Sequence, residues 1–258
     1  MTGAMSNFFR FPHTPHLAWL GEKPPRADKL LAPNDVEALL SGSVLVEEKI
    51  DGANLGLSFS QTGEVCVQNR GAYLQRPYQG QFSRLDQWLV PRLSLFQRVL
   101  YPTELPASSS EKSTTNGDDL ILFGEWCAAR HSLDYDALPD WFVLFDVYDR
   151  AAERFWSVKR RNELAHALEL SVVPLVFEGK ASLEQLKVLV MQLSSRYRVH
   201  DKTDSNNRLQ AEGIVVRKDD ALWCKARAKL VHPDFAQAIG EHWRQRPIDW
   251  NTCSAVKS

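Results

Sequence analysis

One lysine stands in a setting unlike any other in the chain: Glu47-Glu48-Lys49-Ile50-Asp51-Gly52-Ala53-Asn54. An apolar run, Ser43-Val44-Leu45-Val46, precedes it, and the Asp-Gly dipeptide behind it demands a tight turn. An amine at a strand-turn junction is aimed rather than solvated, and a deprotonated amine is a nucleophile. A hairpin with a surface lysine is the plainer alternative on this segment alone. Lys225, Arg227 and Lys229 occupy alternate positions, so a strand would project all three from one face. Like charges so placed repel unless an anion lies across them, or unless they mark a solvated sheet edge that resists aggregation. Carboxylates close apolar runs in Phe123-Gly124-Glu125-Trp126 and open one in Glu212-Gly213-Ile214-Val215. Asp146 follows Phe145 inside the very apolar Trp141–Tyr148, where a charge needs a partner. Asn69-Arg70-Gly71 adds a further cation. Cations clamp phosphates, carboxylates take a ribose hydroxyl or a divalent metal, and an aromatic ring stacks on a base, so this inventory suits a nucleotide. Neither the glycine-rich phosphate loop ending in Lys-Ser/Thr nor the dinucleotide-binding glycine turn is present.

The elements that must position these residues follow from periodicity. Alternation and short apolar runs predict strands at Ser43–Val46, Leu55–Phe59, Val65–Gln68, Asp119–Trp126, Trp141–Tyr148, Gly213–Arg217 and Leu222–Val231. Helices are predicted over Ser157–Leu170, with Ser157 as N-cap, and over Ser182–Leu193, where Ser182 and Gln185 have capping-box spacing. A short helix is expected near Asp234–Trp243. Pro102–Asp119 is polar and aperiodic, which predicts a flexible insertion at about 102–119. Antiparallel sheets with inserted helices make an α+β domain. The expected organisation is a single domain over 1–243 and a C-terminal tail over 244–258.

Composition narrows the function classes. The chain has 258 residues and is 44% hydrophobic with eight tryptophans, enough for a sizeable core. With 31 basic and 32 acidic residues the net charge is −1, so any nucleic-acid surface is a local concentration of cations. Its four cysteines form no Cys-x-x-Cys pair, which speaks against a zinc site and for reduced thiols in a cytoplasmic protein. No apolar run approaches the ~20 residues of a membrane span. The seven histidines show no metal-ligand spacing, and the cluster Arg154, Lys159, Arg160, Arg161 reads equally as a solvated helix face or a nucleic-acid contact.

The order Lys-x-Asp-Gly, Arg-Gly, Phe-Gly-Glu, Phe-Asp, Glu-Gly-Ile-Val and Lys-x-Arg-x-Lys resembles that of the covalent nucleotidyltransferases, from about Phe9 to Phe235. The string Glu48-Lys49-Ile50-Asp51-Gly52-Ala53-Asn54 is most similar to ATP-dependent RNA ligases of the RNA ligase 2 type. The resemblance implies an adenylation domain of antiparallel sheets with flanking helices, an ATP-grasp-like ligase core. No appended oligonucleotide-binding domain is expected, since only Val231–Ser258 follows the last motif. It implies that Lys49 becomes adenylylated and that Lys229, Arg227 and Lys225 supply catalytic cations; whether Arg227/Lys229 or Lys225/Arg227 forms the paired motif stays open. Glu48, Asn54, Arg70, Glu125, Phe145 and Asp146 are the implied nucleotide-binding residues, and Glu212 and Asp51 the metal-associated ones. The implied co-substrate is ATP with Mg²⁺ or Mn²⁺. The implied partners are RNA ends, in a nicked duplex or a tRNA, with a partner protein as a further source of substrate affinity. A DNA ligase, an mRNA-capping-type enzyme and a non-catalytic end-binding protein are the alternatives. Burial together with Lys225, Arg227 and Lys229 is expected to bring the Lys49 pKa below its ordinary ~10.4.

Overall fold

The β-branched and apolar runs do become strands, and the chain sorts them into two antiparallel sheets. The computed structural model describes residues 8–22, 29–60, 63–101, 117–199, 209–237 and 247–254. In order these form α1 (Pro33–Leu40), β1 (Val44–Lys49), β2 (Ala53–Phe59), β3 (Val65–Asn69), α2 (Leu85–Leu89), α3 (Leu93–Leu100), β4 (Leu120–Trp126), β5 (Phe142–Asp149), β6 (Arg154–Phe155), α4 (Val158–Ala167), β7 (Ser171–Val172), β8 (Leu175–Gly179), α5 (Leu183–Gln192), β9 (Gly213–Asp219), β10 (Cys224–Val231) and α6 (Pro233–Gln237). Residues 102–116 of the expected insertion, the predicted helix beyond Gln237, and 244–246 and 255–258 of the expected tail lie outside the described residues. Within 247–254, Asn251 is buried and its side chain spans the Cys127 carbonyl and the Tyr135 N–H.

The first sheet has the order β10-β9-β1-β8 and the second β3-β2-β4-β5-β6, with β7 added parallel to β5. Consecutive strands β1 and β2 are therefore not a hairpin. The Asp51-Gly52 turn passes the chain from one sheet to the other and leaves Lys49 at the crease. Gly52 is needed there, because a Cβ would meet the Trp126 carbonyl at 2.7 Å and the Glu125 side chain at 3.0 Å. Absence of a side chain lets the turn close on the end of β4.

Alternation gives each sheet an apolar outer face, while the inner faces carry the charged residues, joined in the second sheet by Ile121, Phe123, Val143 and Tyr148. Val44, Val46, Ile214, Val216, Ala228 and Leu230 bury the first sheet under α1 and α5. Leu55, Leu57, Phe59, Leu122, Trp126, Phe142 and Leu144 bury the second under α2 and α3. Ser157 caps α4 by accepting from the Arg160 N–H, and Ser182 and Gln185 form the reciprocal capping box of α5. Helices α1, α2 and α3 and strands β6, β7 and β8 were not anticipated. Leu93, Phe96 and Leu100 of α3 do carry helical spacing, with Phe96 and Leu100 buried, but the run is only eight residues long. Short segments of this kind draw their stability from packing.

Candidate active site

The inner faces enclose a cavity of about 660 Å³, within the range of ligand pockets. Its wall from the first sheet comprises Glu47, Lys49, Val215, Arg217, Arg227 and Lys229. Strand register explains the grouping. Glu47 lies opposite Val215, Lys49 opposite Gly213, Arg217 opposite Arg227 and Val215 opposite Lys229, so these side chains share one face. The facing wall contributes Asn54 and Glu125, directly paired across β2 and β4, with Phe145 and Asp146 of β5. Phe145 and Asp146 are consecutive yet both line the cavity. The β4–β5 ladder pairs Phe123 with Asp146 and Gly124 with Leu144, which makes Phe145 the extra residue of a bulge. The Phe145 carbonyl freed by the bulge accepts from Arg161 Nη1 at 2.7 Å.

Lys49 Nζ lies 2.5 Å from Glu212 Oε2. Gly213 permits this approach, since a Cβ there would collide with the Leu230 carbonyl of β10. Burial works against charge on Lys49, but Glu212, Glu125 and Asp51 outweigh it and hold the amine above its ordinary pKa. The expectation of a lowered pKa is thus corrected. Glu212 contacts Nζ and the Glu125 and Asp51 charges add to its field, whereas two of the expected cations are neutralised by other partners. Lys225 is about half exposed, pairs with Asp220 at 2.7 Å and does not line the cavity. Arg227 Nη1 is 2.8 Å from Asp146 Oδ2. Lys229 remains as the cavity's lysine beside Lys49, and burial with the neighbouring Lys49 charge lowers its pKa to about 8. Burial raises Glu125 to about 8 and Glu212 to about 7, with Lys49 acting against both shifts.

The remaining predicted residues divide by what already holds them. Asp51 Oδ2 accepts from the Ser132 and Leu133 N–H groups at 2.6 and 3.1 Å, which fixes the loop after β4 and leaves Oδ1 for a cation. Asp146 bridges two arginines: Oδ1 takes Arg217 Nη1 at 2.6 Å and Oδ2 takes Arg227. Arg217 and Arg227 stand directly opposite across β9 and β10, a repulsive pair that Asp146 neutralises. Both oxygens being so used, Asp146 positions the cation wall. Arg70 is exposed at the cavity rim, beside the Asn69 side chain that accepts from the Gly71 and Ala72 N–H groups. Glu48 Oε2 accepts from the Arg196 N–H at 3.1 Å, while Glu48 Oε1 and Asn54 Oδ1 are buried without a protein donor. Orphaned acceptors of this kind on a cavity wall await a ligand's donors.

Several contributors escaped the sequence reading. Arg161 is not on a solvated face; it is 1% exposed and pairs with Glu47 at 2.6 Å. His131 joins Gln81 at 2.7 Å on the cavity wall. The usable signal was a set of charges, Glu47, Asp146 and Arg217, each inside an apolar strand and each requiring a partner. No group of three or more His, Cys, Asp or Glu among the described residues could alone hold a metal. No described helix is long and apolar enough to cross a membrane.

Two antiparallel sheets face each other across a cavity that holds Lys49, its neighbouring carboxylates and the cations of β10, and solved structures share this fold. A Naegleria gruberi RNA ligase, solved as a point mutant without ligand, matches over 92% of this chain and 60% of its own, with a TM-score of 0.55 and 16% identity. A second point mutant of that ligase, solved with ATP and Mn, matches over 89% and 58% with a TM-score of 0.56 and 17% identity. An archaeal ATP-dependent RNA ligase matches over 87% and 48%, with a TM-score of 0.51 and 20% identity. The chain thus spans 48–60% of these ligases' lengths. No curated protein matches the sequence. The model of the RNA ligase family matches residues 42–231, from before β1 to the end of β10, and the chain belongs to that family.

Proposed function

We propose that this chain is an ATP-dependent RNA ligase that joins a 5′-phosphate to a 3′-hydroxyl through a lysyl-AMP on Lys49. The observation that carries the reading is the Lys49 amine at the crease of the two sheets, inside the cavity, with Glu212 at 2.5 Å and Lys229 and Arg227 on the same face. ATP enters with its phosphates toward Arg227 and Lys229, and its base and ribose meet the orphaned acceptors of Glu48 and Asn54. Phe145 offers the base an aromatic face. Lys49 attacks the α-phosphorus, a nitrogen–phosphorus bond forms, and the bond to pyrophosphate breaks. Glu212 Oε2 is the nearest acceptor for the proton that Lys49 must shed. A terminal RNA 5′-phosphate then displaces Lys49 from AMP, and the 3′-hydroxyl of the second strand displaces AMP and closes the phosphodiester.

The donor set suits a hard divalent cation such as Mg²⁺ or Mn²⁺. Glu212, Glu125 and Asp51 offer hard oxygen donors on the cavity wall, and a bound cation would draw the Glu212 and Glu125 carboxyls, raised to about 7 and 8 by burial, into their anionic form. Such ions bind through one or two carboxylates and complete their shell with phosphate oxygens and water. Bound there, the ion would neutralise charge developing on the phosphates.

Incubation with ATP labelled in the α-phosphate tests the reading. The label should remain on the denatured protein, map to Lys49, and vanish in Lys49→Ala with the fold intact. Adduct on another lysine, or none, overturns it, and preference for GTP moves the chain to the capping-type enzymes. Sealing of nicked and single-stranded RNA, followed on gels, checks the two later steps.

A further inference from the structure

A second cationic surface lies outside the cavity. Arg154 and Lys159 are exposed, and Trp223 is half-buried beside Arg154. The Arg160 guanidinium lies 3.7 Å over the Trp156 ring and 5.0 Å from that of Trp223, and Arg154 is 5.8 Å from the Trp223 ring. Cations interleaved with indoles are the chemistry that grips a single nucleic-acid strand: charge for the phosphates, flat faces for the bases. Helix stability does not call for these residues. The first turn of α4 carries Lys159, Arg160 and Arg161 and no acid, the wrong sign for a helix N-terminus. Arg161 is accounted for by its buried pair with Glu47. The helix end itself is already capped, by Asp219 on the Val158 N–H at 2.7 Å and by Ser157 on the Arg160 N–H, so the side chains carry the surface.

The surface adjoins the cavity across strand β6, whose consecutive side chains point to opposite faces. Arg227, on the cavity wall, stacks 3.9 Å over Phe155, the neighbour of Arg154 on β6. Trp223 precedes β10, and four residues at ~3.3 Å each place it about 13 Å from Arg227, within reach of a few nucleotides. We propose that Arg154, Lys159, Arg160 and Trp223 form a track for the RNA strand on its way to the cavity. Arg154 and Lys159 hold its phosphodiesters while a base lies against the Trp223 indole. The inference deepens the ligase reading and rests on it.

The test uses the full chain and the variant Arg154→Ala/Lys159→Ala, two exposed side chains outside the cavity. Binding of a fluorescent single-stranded RNA is followed by anisotropy over a salt series, and label transfer from ATP to protein is measured in parallel. Two lost phosphate contacts should flatten the log–log salt slope by about 1.4, at ~0.7 per contact for single strands. Sealing of strands of ten or more nucleotides should fall about tenfold or more, that of the shortest joinable strands should hold, and ATP label transfer should be unchanged. An unchanged salt slope with normal label transfer overturns the track and leaves the ligase reading standing. A flattened slope in a protein that never takes label supports RNA binding here and overturns the ligase reading. Competition by polyglutamate as strong as by RNA assigns the surface to acidic proteins and also overturns the proposal.

Discussion

Replacing Asp146 by asparagine separates its two conceivable roles, nucleotide contact and structural clamp. Asp146, Arg217 and Arg227 side chains are 3%, 1% and 10% exposed, and the two ion pairs measure 2.6 and 2.8 Å. Asparagine preserves shape but keeps only one acceptor oxygen and turns an NH₂ toward the second guanidinium. Breaking a buried pair costs about 3–5 kcal/mol because the surviving charge is left uncompensated. Arg217 retains Asp219 at 3.6 Å and Glu47 at 4.0 Å, so the lower end, about 3 kcal/mol, applies. For a chain of this size each kcal/mol moves the melting temperature by about 2–4 °C, which gives a fall of about 6–12 °C. Arg227 loses its anchor as well, so protein adenylylation at saturating ATP should drop at least tenfold. Thermal unfolding at pH 7 and label transfer from ATP provide the two readouts. A melting temperature within about 2 °C of the parent would refute the clamp and return Asp146 to the nucleotide. Loss of stability with full adenylylation would refute the link through Arg227.

Glu212→Ala and Lys229→Ala should each slow sealing about a hundredfold or more, the scale of one lost transition-state charge contact; near-parental sealing at saturating ATP and divalent metal would refute the site as drawn. Carboxylates hold Lys49 protonated, so the rate of protein adenylylation should climb with pH from 6 to 9, and a rate already flat at pH 6.5 would show that the amine is neutral there. Glu125 has its folded pKa raised from 4.5 to about 8, so its contribution to stability is complete below pH 4.5 and is lost as pH rises through about 8. Glu125→Gln should therefore melt above the parent at pH 8.5, by about 1 kcal/mol or more, with the gain shrinking toward pH 5; equal melting at both pH values would count against the burial argument. The same variant should adenylylate poorly, a gain of stability at the expense of function.

Local features of the chain were legible without the structure. Seven strands and the helices at 158–167 and 183–192 follow from periods of two and 3.6 residues and from serine caps, which are properties of a few neighbours. The line of motifs that carries the family resemblance was equally legible, because glycines and charges at strand ends stand out against apolar runs. Less visible were α2 and α3, five and eight residues long, whose spacing gives too few turns for a clear signal. The Phe145 bulge left no mark at all, since only the partner strand defines it.

Sequence alone thus determined that Lys49 sits at a turn, that Lys225, Arg227 and Lys229 alternate, and that Asp146 needs partners. Tertiary structure decided which partners they have. Lys49 and Glu212 meet across 163 residues of chain, and Arg161 and Glu47 across 114. The alternation placed three cations on one strand face, but the irregular pairing after Cys224 and the Asp220 side chain take Lys225 out of the cavity. The sign of the Lys49 shift was decided the same way. A pKa depends on charges within a few ångströms, and which charges come that near is fixed by the crossing of the chain between two sheets, not by spacing along it.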